Sequence, residues 1–128
     1  MKILLIAALI VACPLSAWAQ AKTKGDDGSV PVTTLFKDYH ANEVAADQKY
    51  KGKRLVYSGQ ISGIKKGAFG EIYIELRTPN QFMSAHAYLI KEQEAIAASL
   101  AKGQKVRWEC KGDGLLIGSP MLKDCKPA

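Results

Sequence analysis

The chain has 128 residues, 48% of them apolar and 23% charged, and carries a net charge of +6 from 18 basic and 12 acidic side chains. That length suits one small domain and excludes two full-sized ones. The composition excludes a collagen-like, low-complexity or wholly disordered chain, and the basic excess favours anionic partners such as nucleic acid, anionic lipid or acidic glycans, although lysines scattered without a block equally describe a solvated surface.

The chain opens on a targeting segment. Lys2 supplies a positive start, Ile3 to Leu15 an apolar core, and Ala17-Trp18-Ala19 a small-x-small cleavage signal before Gln20. The apolar run is too short for a membrane-spanning helix. Residues 1–19 are therefore expected to be a signal peptide and the protein to be periplasmic or secreted. A rival reading is that Ile10-Val11-Ala12-Cys13 resembles a lipobox, in which Cys13 would be lipidated and become the mature N-terminus. Against it, Cys13 lies very early and leaves a short hydrophobic core. Residues 20–32 are polar, with Gly25, Asp26, Asp27, Gly28 and Ser29 together, and read as a flexible linker.

Residues 33–128 are expected to form the domain. Thr33 or Thr34 offers an N-cap, and Leu35, Phe36, Tyr39, Val44, Ala45 and Ala46 follow at helical spacing, with Gly52 as a stop. This predicts one amphipathic helix. From Lys53 to Leu89 three alternating runs are separated by Lys65-Lys66-Gly67-Ala68-Phe69-Gly70 and by Thr78-Pro79-Asn80-Gln81. Leu55, Tyr57 and Ile61 share the inward phase of the first run; Ile72, Ile74 and Leu76 that of the second; Met83, Ala85, Ala87 and Leu89 that of the third. A period of two marks half-buried strands, and short connections predict an antiparallel meander. Lys91 to Ala101 is rich in alanine and glutamate and ends at Lys102-Gly103, which predicts a second helix. Val106, Trp108 and Cys110 then alternate with charged residues along a fourth strand; Gly112-Asp113-Gly114 reads as a hairpin turn; and Leu115 to Lys123 is a last strand, interrupted near Gly118-Ser119-Pro120.

In an oxidising compartment Cys110 and Cys125, the two cysteines left after loss of the leader, are expected to pair, and closing a loop of that length contributes about 3 kcal/mol in the chain-entropy model. A metal pair lacks further ligands, since His40 and His86 are the two histidines and no CxxC spacing occurs. No metal or other cofactor is expected.

The order helix, three strands, helix, two strands points to a mainly β, five-stranded OB-fold barrel with an N-terminal helix and a helix between strands three and four. Gly59 or Gly63 would mark where the long first strand coils to serve both halves of the barrel. Several short motifs in order also carry a resemblance: Asn42-Glu43 with Ala46-Asp47, Tyr50-Lys51-Gly52-Lys53, Ser58-Gly59, and Leu100-Ala101-Lys102-Gly103-Gln104-Lys105-Val106. Over about Leu35 to Cys125 the chain resembles the tRNA_anti-like family of secreted or lipid-anchored bacterial OB-fold proteins. The resemblance implies a fold and a compartment. It implies neither tRNA binding nor a catalytic motif.

The residues themselves offer no catalytic constellation: GxSxG, HExxH and a Gly-rich phosphate loop are all absent. Asp38, His40 and Glu43 are close in sequence but diverge around a helix. Glu71 and Glu75 share a strand face about 13 Å apart, too far for a glycosidase pair. A binding face is the better candidate. Alternation that buries Met83, Ala85, Ala87 and Leu89 turns Phe82, Ser84, His86 and Tyr88 outward, beside Tyr73, Glu75 and Arg77 on the neighbouring strand. Lys65 and Lys66, with Lys111 and Asp113 of the expected last hairpin loop, would edge this face. The ligand-binding candidates are therefore Tyr73, Arg77, Phe82, His86, Tyr88, Lys65 and Lys66, an array suited to stacking bases or sugars. A packing role under the N-terminal helix would use the same aromatics differently. The expected function is a non-catalytic envelope module for a protein, peptide or glycan, with a single-strand nucleic-acid binder as the alternative; Glu75 in the centre argues against a phosphate track.

Overall fold

The computed structural model describes residues 27–128; the expected leader, Cys13 and the first part of the linker lie outside them. The described chain runs β1 (Val30–Pro31), α1 (Val32–Ala41), α2 (Glu43–Tyr50), β2 (Arg54–Lys66), β3 (Ile72–Leu76), β4 (Ala85–Leu89), a 3-10 helix (Lys91–Ser99), β5 (Lys105–Leu116) and β6 (Ser119–Pro127).

The long strand β2 has two partners. Arg54 to Gln60 pair antiparallel with β5, and Ile61 to Lys66 pair antiparallel with β3. The handover falls at a bulge between Ile61 and Gly63, where the extra residue bends and twists the strand. β3 pairs with β4, β4 runs parallel to β6, and β6 pairs antiparallel with β5, so the sheet closes on itself. A five-stranded barrel with a helical segment between its third and fourth strands is the expected OB-fold. β1 adds a short parallel strand alongside Tyr57 and Ser58 of β2.

The inward phase is as the alternation predicts. Tyr57, Ile61, Ile74, Leu76, Ala85, Ala87 and Leu89 are buried, and Leu55, Ile72 and Met83 are half-buried. Trp108 and Leu122 complete the barrel interior, while Leu35, Tyr39, Ala46 and Tyr50 bring the helices into the same core. Gly59 is needed here, since a Cβ on it would lie 3.3 Å from Val32 Cγ2 and 3.5 Å from Leu76 Cβ. Three tyrosines step from the helices into the barrel, with ring centroids 6.1 Å apart for Tyr39 and Tyr50 and 6.4 Å for Tyr50 and Tyr57. Tyr39 donates to Asp47 Oδ1 at 3.0 Å and Tyr50 donates to Asp38 Oδ2. Burial pushes all three phenols well above their ordinary range. Among the described residues Tyr57 Oη finds no hydrogen-bond partner, a cost on the order of 1–3 kcal/mol that its buried ring must offset.

The structure corrects five expectations. The single N-terminal helix is two. Asn42 is extended, at φ −161° and ψ 101°, and its side chain accepts from Ala45 N at 3.0 Å, so it caps α2. α1 starts at Val32 directly after Pro31, not at a threonine cap. The end of the expected linker is built into the fold: Ser29 and Val30 are buried, and Val30–Pro31 is β1. The second helix is a 3-10 helix. Finally, Gly112-Asp113-Gly114 is not a turn but a stretch of β5 opposite a register shift. A Cβ on Gly112 would lie 2.1 Å from the carbonyl oxygen of Tyr50, so glycine is there for the close crossing of α2's end over β5. The hairpin turns instead at Ile117 and Gly118, between the paired Leu116 and Ser119. Both turn residues have positive φ, 48° and 80°, the requirement of a type I′ turn.

Cys110 and Cys125 are bonded, with Cα atoms 4.2 Å apart. Both are fully buried. Cys110 is paired with Leu55 of β2 and Cys125 with Leu89 of β4. The bond therefore ties together the strands that close the barrel.

Two stability predictions follow from this packing. Ile74→Ala should cost about 2–5 kcal/mol through lost transfer energy and a cavity, and Gly112→Ala about 1–3 kcal/mol through a backbone clash; melting temperatures equal to wild type would refute the assigned phase and crossing. Free-thiol labelling of the unfolded, unreduced protein should find neither Cys110 nor Cys125 reactive, and the double Cys110→Ala/Cys125→Ala variant should lose about 3 kcal/mol in denaturant melts.

Candidate functional site

The outer face of β3 and β4 carries a strip of rings. Register places Tyr73 opposite Tyr88 and Glu75 opposite His86. Tyr73 stacks on Tyr88 with centroids 5.0 Å apart and planes inclined by 30°. It also lies 5.0 Å from the His86 ring, at 33°. All three rings are half-buried. Their arrangement follows directly from the sequence, since alternate residues of two paired strands stand on one face and directly opposed aromatics attract.

Two neighbours shape the strip. On β2, Lys65 is paired with Tyr73 and Gly63 with Glu75. A Cβ on Gly63 would meet Glu75 Oε2 at 2.7 Å, so the missing side chain makes room for the Glu75 carboxylate to lie across β2. Burial lowers the pKa of His86 below its usual value, with the nearby Glu75 charge opposing the shift. Burial raises that of Tyr88, with smaller contributions from Tyr73 and Glu71. At neutral pH the strip presents neutral rings with one carboxylate at its middle.

The other candidates disperse. Lys65 is exposed and shares the face of Tyr73, whereas Lys66 is opposite Ile72 and so takes the other phase. Phe82 is 87% exposed but sits in the loop between β3 and β4, where Phe82 N donates to Asn80 Oδ1 at 2.9 Å and Thr78 Oγ1 donates to the Met83 carbonyl. The extended phase that would have put it beside Tyr88 begins only at Ala85. Arg77 lies past the end of β3, its N–H on the Gln60 carbonyl at 2.9 Å, and borders a different feature: a groove of about 910 Å³ shared with Ser58, Gln60, Lys105 and Arg107. Lys111 and Asp113 stand within β5, and Asp113 pairs with Lys123 at 3.3 Å. The last hairpin turns instead at Ile117-Gly118, and its tip is apolar, with Leu116 and Ile117 57% and 90% exposed.

Asp38, His40 and Glu43 do not converge. Asp38 is engaged by Tyr50 and by Lys49 at 3.2 Å, while His40 stacks on Phe36 and contacts the Gly118 carbonyl at 3.0 Å. Among the described residues no three His, Cys, Asp or Glu side chains cluster as metal ligands would, and no helix is long and apolar enough to cross a membrane. What the strip can do is stack flat groups and hydrogen-bond at its edges. The groove residues Ser58, Gln60, Lys105 and Arg107 were not legible as a site, because only the pairing of β2 with β5 brings them together.

The depressed pKa of His86 has a sign that can be checked. The unfolded chain takes up a proton near the ordinary value of 6.5, whereas the folded chain resists it. His86 therefore contributes stability in full above that value, and the contribution is lost as pH falls below it. Denaturant melts across this range should show wild type losing more stability on acidification than His86→Gln; equal slopes would mean the imidazole is as free to protonate in the fold as out of it.

Comparison with known proteins agrees with the barrel. A lipoprotein from Klebsiella pneumoniae subsp. pneumoniae MGH 78578 that carries a provisional nucleic-acid-binding assignment superposes with a TM-score of 0.62 at 19% identity, over 81% of this chain and 98% of its own. A protein from Leishmania major Friedlin provisionally identified as an aspartyl-tRNA synthetase superposes at 0.55 and 16% identity, over 91% of this chain and 22% of its own. At such identities the likeness is one of fold. No curated protein sequence matches the chain. The tRNA_anti-like family model matches residues 3–126. With the barrel order and that match together, the chain belongs to the tRNA_anti-like family.

Proposed function

We propose that the protein is a non-catalytic binding module that captures its ligand by stacking on Tyr73 and Tyr88, with His86 beside them and Lys65 at the rim. The single observation behind this reading is the contiguous strip of three half-buried rings on the outer barrel face. A sugar ring or an aromatic peptide side chain suits that strip, because the Glu75 carboxylate at its middle accepts hydrogen bonds and repels phosphate. The ligand is accordingly a glycan, peptide or protein of the cell envelope. The Cys110–Cys125 bond supports an oxidising compartment, and the Klebsiella neighbour is described as a lipoprotein. In this reading residues 1–19 are a signal peptide and the mature chain begins at Gln20; mass spectrometry of the native protein showing a diacylated Cys13 N-terminus would overturn that and make it lipid-anchored.

Single-stranded nucleic acid is the second reading, favoured by Lys65, which shares the face of Tyr73, and by the provisional nucleic-acid-binding assignment of the same neighbour. Titration of oligosaccharides, aromatic peptides and oligothymidylate into the mature protein tests both. Whichever ligand binds, Tyr73→Ala/Tyr88→Ala should weaken it by about tenfold or more, given roughly 1–3 kcal/mol per stacked ring; unchanged affinity would remove the strip from the site. Binding through phosphates should fall linearly in log affinity against log salt, with a slope of about −0.7 for each phosphate contacted on a single strand, and salt-insensitive binding excludes the second reading.

A further inference from the structure

The groove at Arg77 lies away from the ring strip and has its own chemistry. Its floor is the outer side of β2 at Ser58, Gly59 and Gln60; Lys105, Val106 and Arg107 of β5 form one wall. Pro31, Val32 and Thr33, where α1 begins without a side-chain cap or an acidic residue in its first turn, form the other. Three cations and one acidic side chain, Asp27, line it, together with Ala128, whose N–H donates to the Arg107 carbonyl at 3.2 Å. Asp27 Oδ1 is held by the N–H of the buried Ser29 at 2.9 Å, and Oδ2 meets Arg107 Nε at 3.0 Å. Arg107 also donates to the Asp27 carbonyl at 3.3 Å. Among the described residues Arg77 and Lys105 have no carboxylate partner.

We propose that this groove is a second binding site, for the phosphoryl group of a small molecule or lipid headgroup, and that the Asp27 carboxylate is its resident competitor. The argument does not rest on the ring strip. Asp27 shows that an oxyanion fits against Arg107, and the two remaining cations match a second negative charge, which a phosphoryl dianion carries and a carboxylate does not. The planar guanidinium groups suit bidentate contact with phosphate oxygens, and Thr33 and Ser58, whose hydroxyl accepts from Ser29 Oγ at 2.9 Å, line the same groove. The volume of about 910 Å³ admits a whole small ligand rather than a lone ion. Displacing Asp27 costs little, because its pair with Arg107 is about half exposed on both sides, at 46% and 48%.

The test is a titration of inorganic phosphate into the mature protein at fixed ionic strength, followed by backbone amide NMR. Shifts should concentrate at residues 32–33, 58–60 and 105–107. Arg77→Ala/Lys105→Ala should weaken binding by about tenfold or more, while Lys37→Ala/Lys91→Ala, which removes the same charge elsewhere, should stay within about twofold. Asp27→Asn keeps the acceptor for Ser29 and removes the charge, so it should tighten binding about two- to fivefold; acetate should bind about tenfold more weakly than phosphate. Scattered shifts, equal loss in both double variants, no gain from Asp27→Asn, or acetate matching phosphate would each overturn the proposal. Co-sedimentation with phosphatidylglycerol vesicles that Arg77→Ala/Lys105→Ala abolishes would support a lipid headgroup as the source; localised phosphate shifts without co-sedimentation would support a soluble one.

Discussion

Everything in this molecule hangs on one strand serving two partners. β2 gives its first half to β5 and its second to β3, and the bulge beside Gly63 lets it bend between them. Without that handover the sheet would stay open, and both β2 and β5 would present unpaired edges. With it, the backbone groups of five strands satisfy one another in a ring. The interior then has a fixed, small volume, which Ile61, Ile74, Leu76, Leu122 and Trp108 fill. The disulfide sits at the other side of the same closure, between β5 and β6.

The barrel explains why two faces of opposite character coexist on so small a body. Where β3 and β4 pair at full length, alternate residues stand opposite one another and the rings of Tyr73, Tyr88 and His86 meet. Where β2 leaves β3 for β5, the outer surface is concave, and β1 with the start of α1 raises a wall beside it. The strip is neutral apart from Glu75; the groove is cationic apart from Asp27. The two are separated along β3 by the interval from Tyr73 to Arg77, on the same nominal strand phase. Backbone curvature, not side-chain order, divides them.

Much of the barrel was legible because period-two alternation in Ile72–Leu76 and Ala85–Leu89 is strong and local. The ring pairs could be foreseen for the same reason, since only one hairpin separates them. The misses arise where long-range geometry overrides a local signal. Gly112-Asp113-Gly114 has the composition of a turn, yet its first glycine answers to a helix end more than sixty positions' worth of chain order away from any turn logic, at Tyr50. Ile117, with a branched side chain, is an unexpected residue at positive φ, so the real turn carried no turn signature in its first position. Asn42 breaks the helix with a cap that a hydrophobic-period reading slides past. Phe82 and Arg77 were assigned by extending strand phase beyond the strand ends, and the groove is made by β2 and β5, which lie far apart in sequence.

The position of β6 governs when the fold can form. It is the last strand in sequence, yet it lies between β4 and β5, parallel to one and antiparallel to the other. Until Ser119–Pro127 is available, β4 has no second neighbour and the ring has a gap. A growing chain can therefore assemble the meander of β2, β3 and β4 but not the closed core, and closing the ring joins residues as far apart in sequence as Arg54 and Lys111. Such topologies fold slowly because loop-closure entropy must be spent before the non-local contacts form. The barrel is thus a fold completed only once its final residues have been delivered, which keeps a partly emerged chain open and threadable.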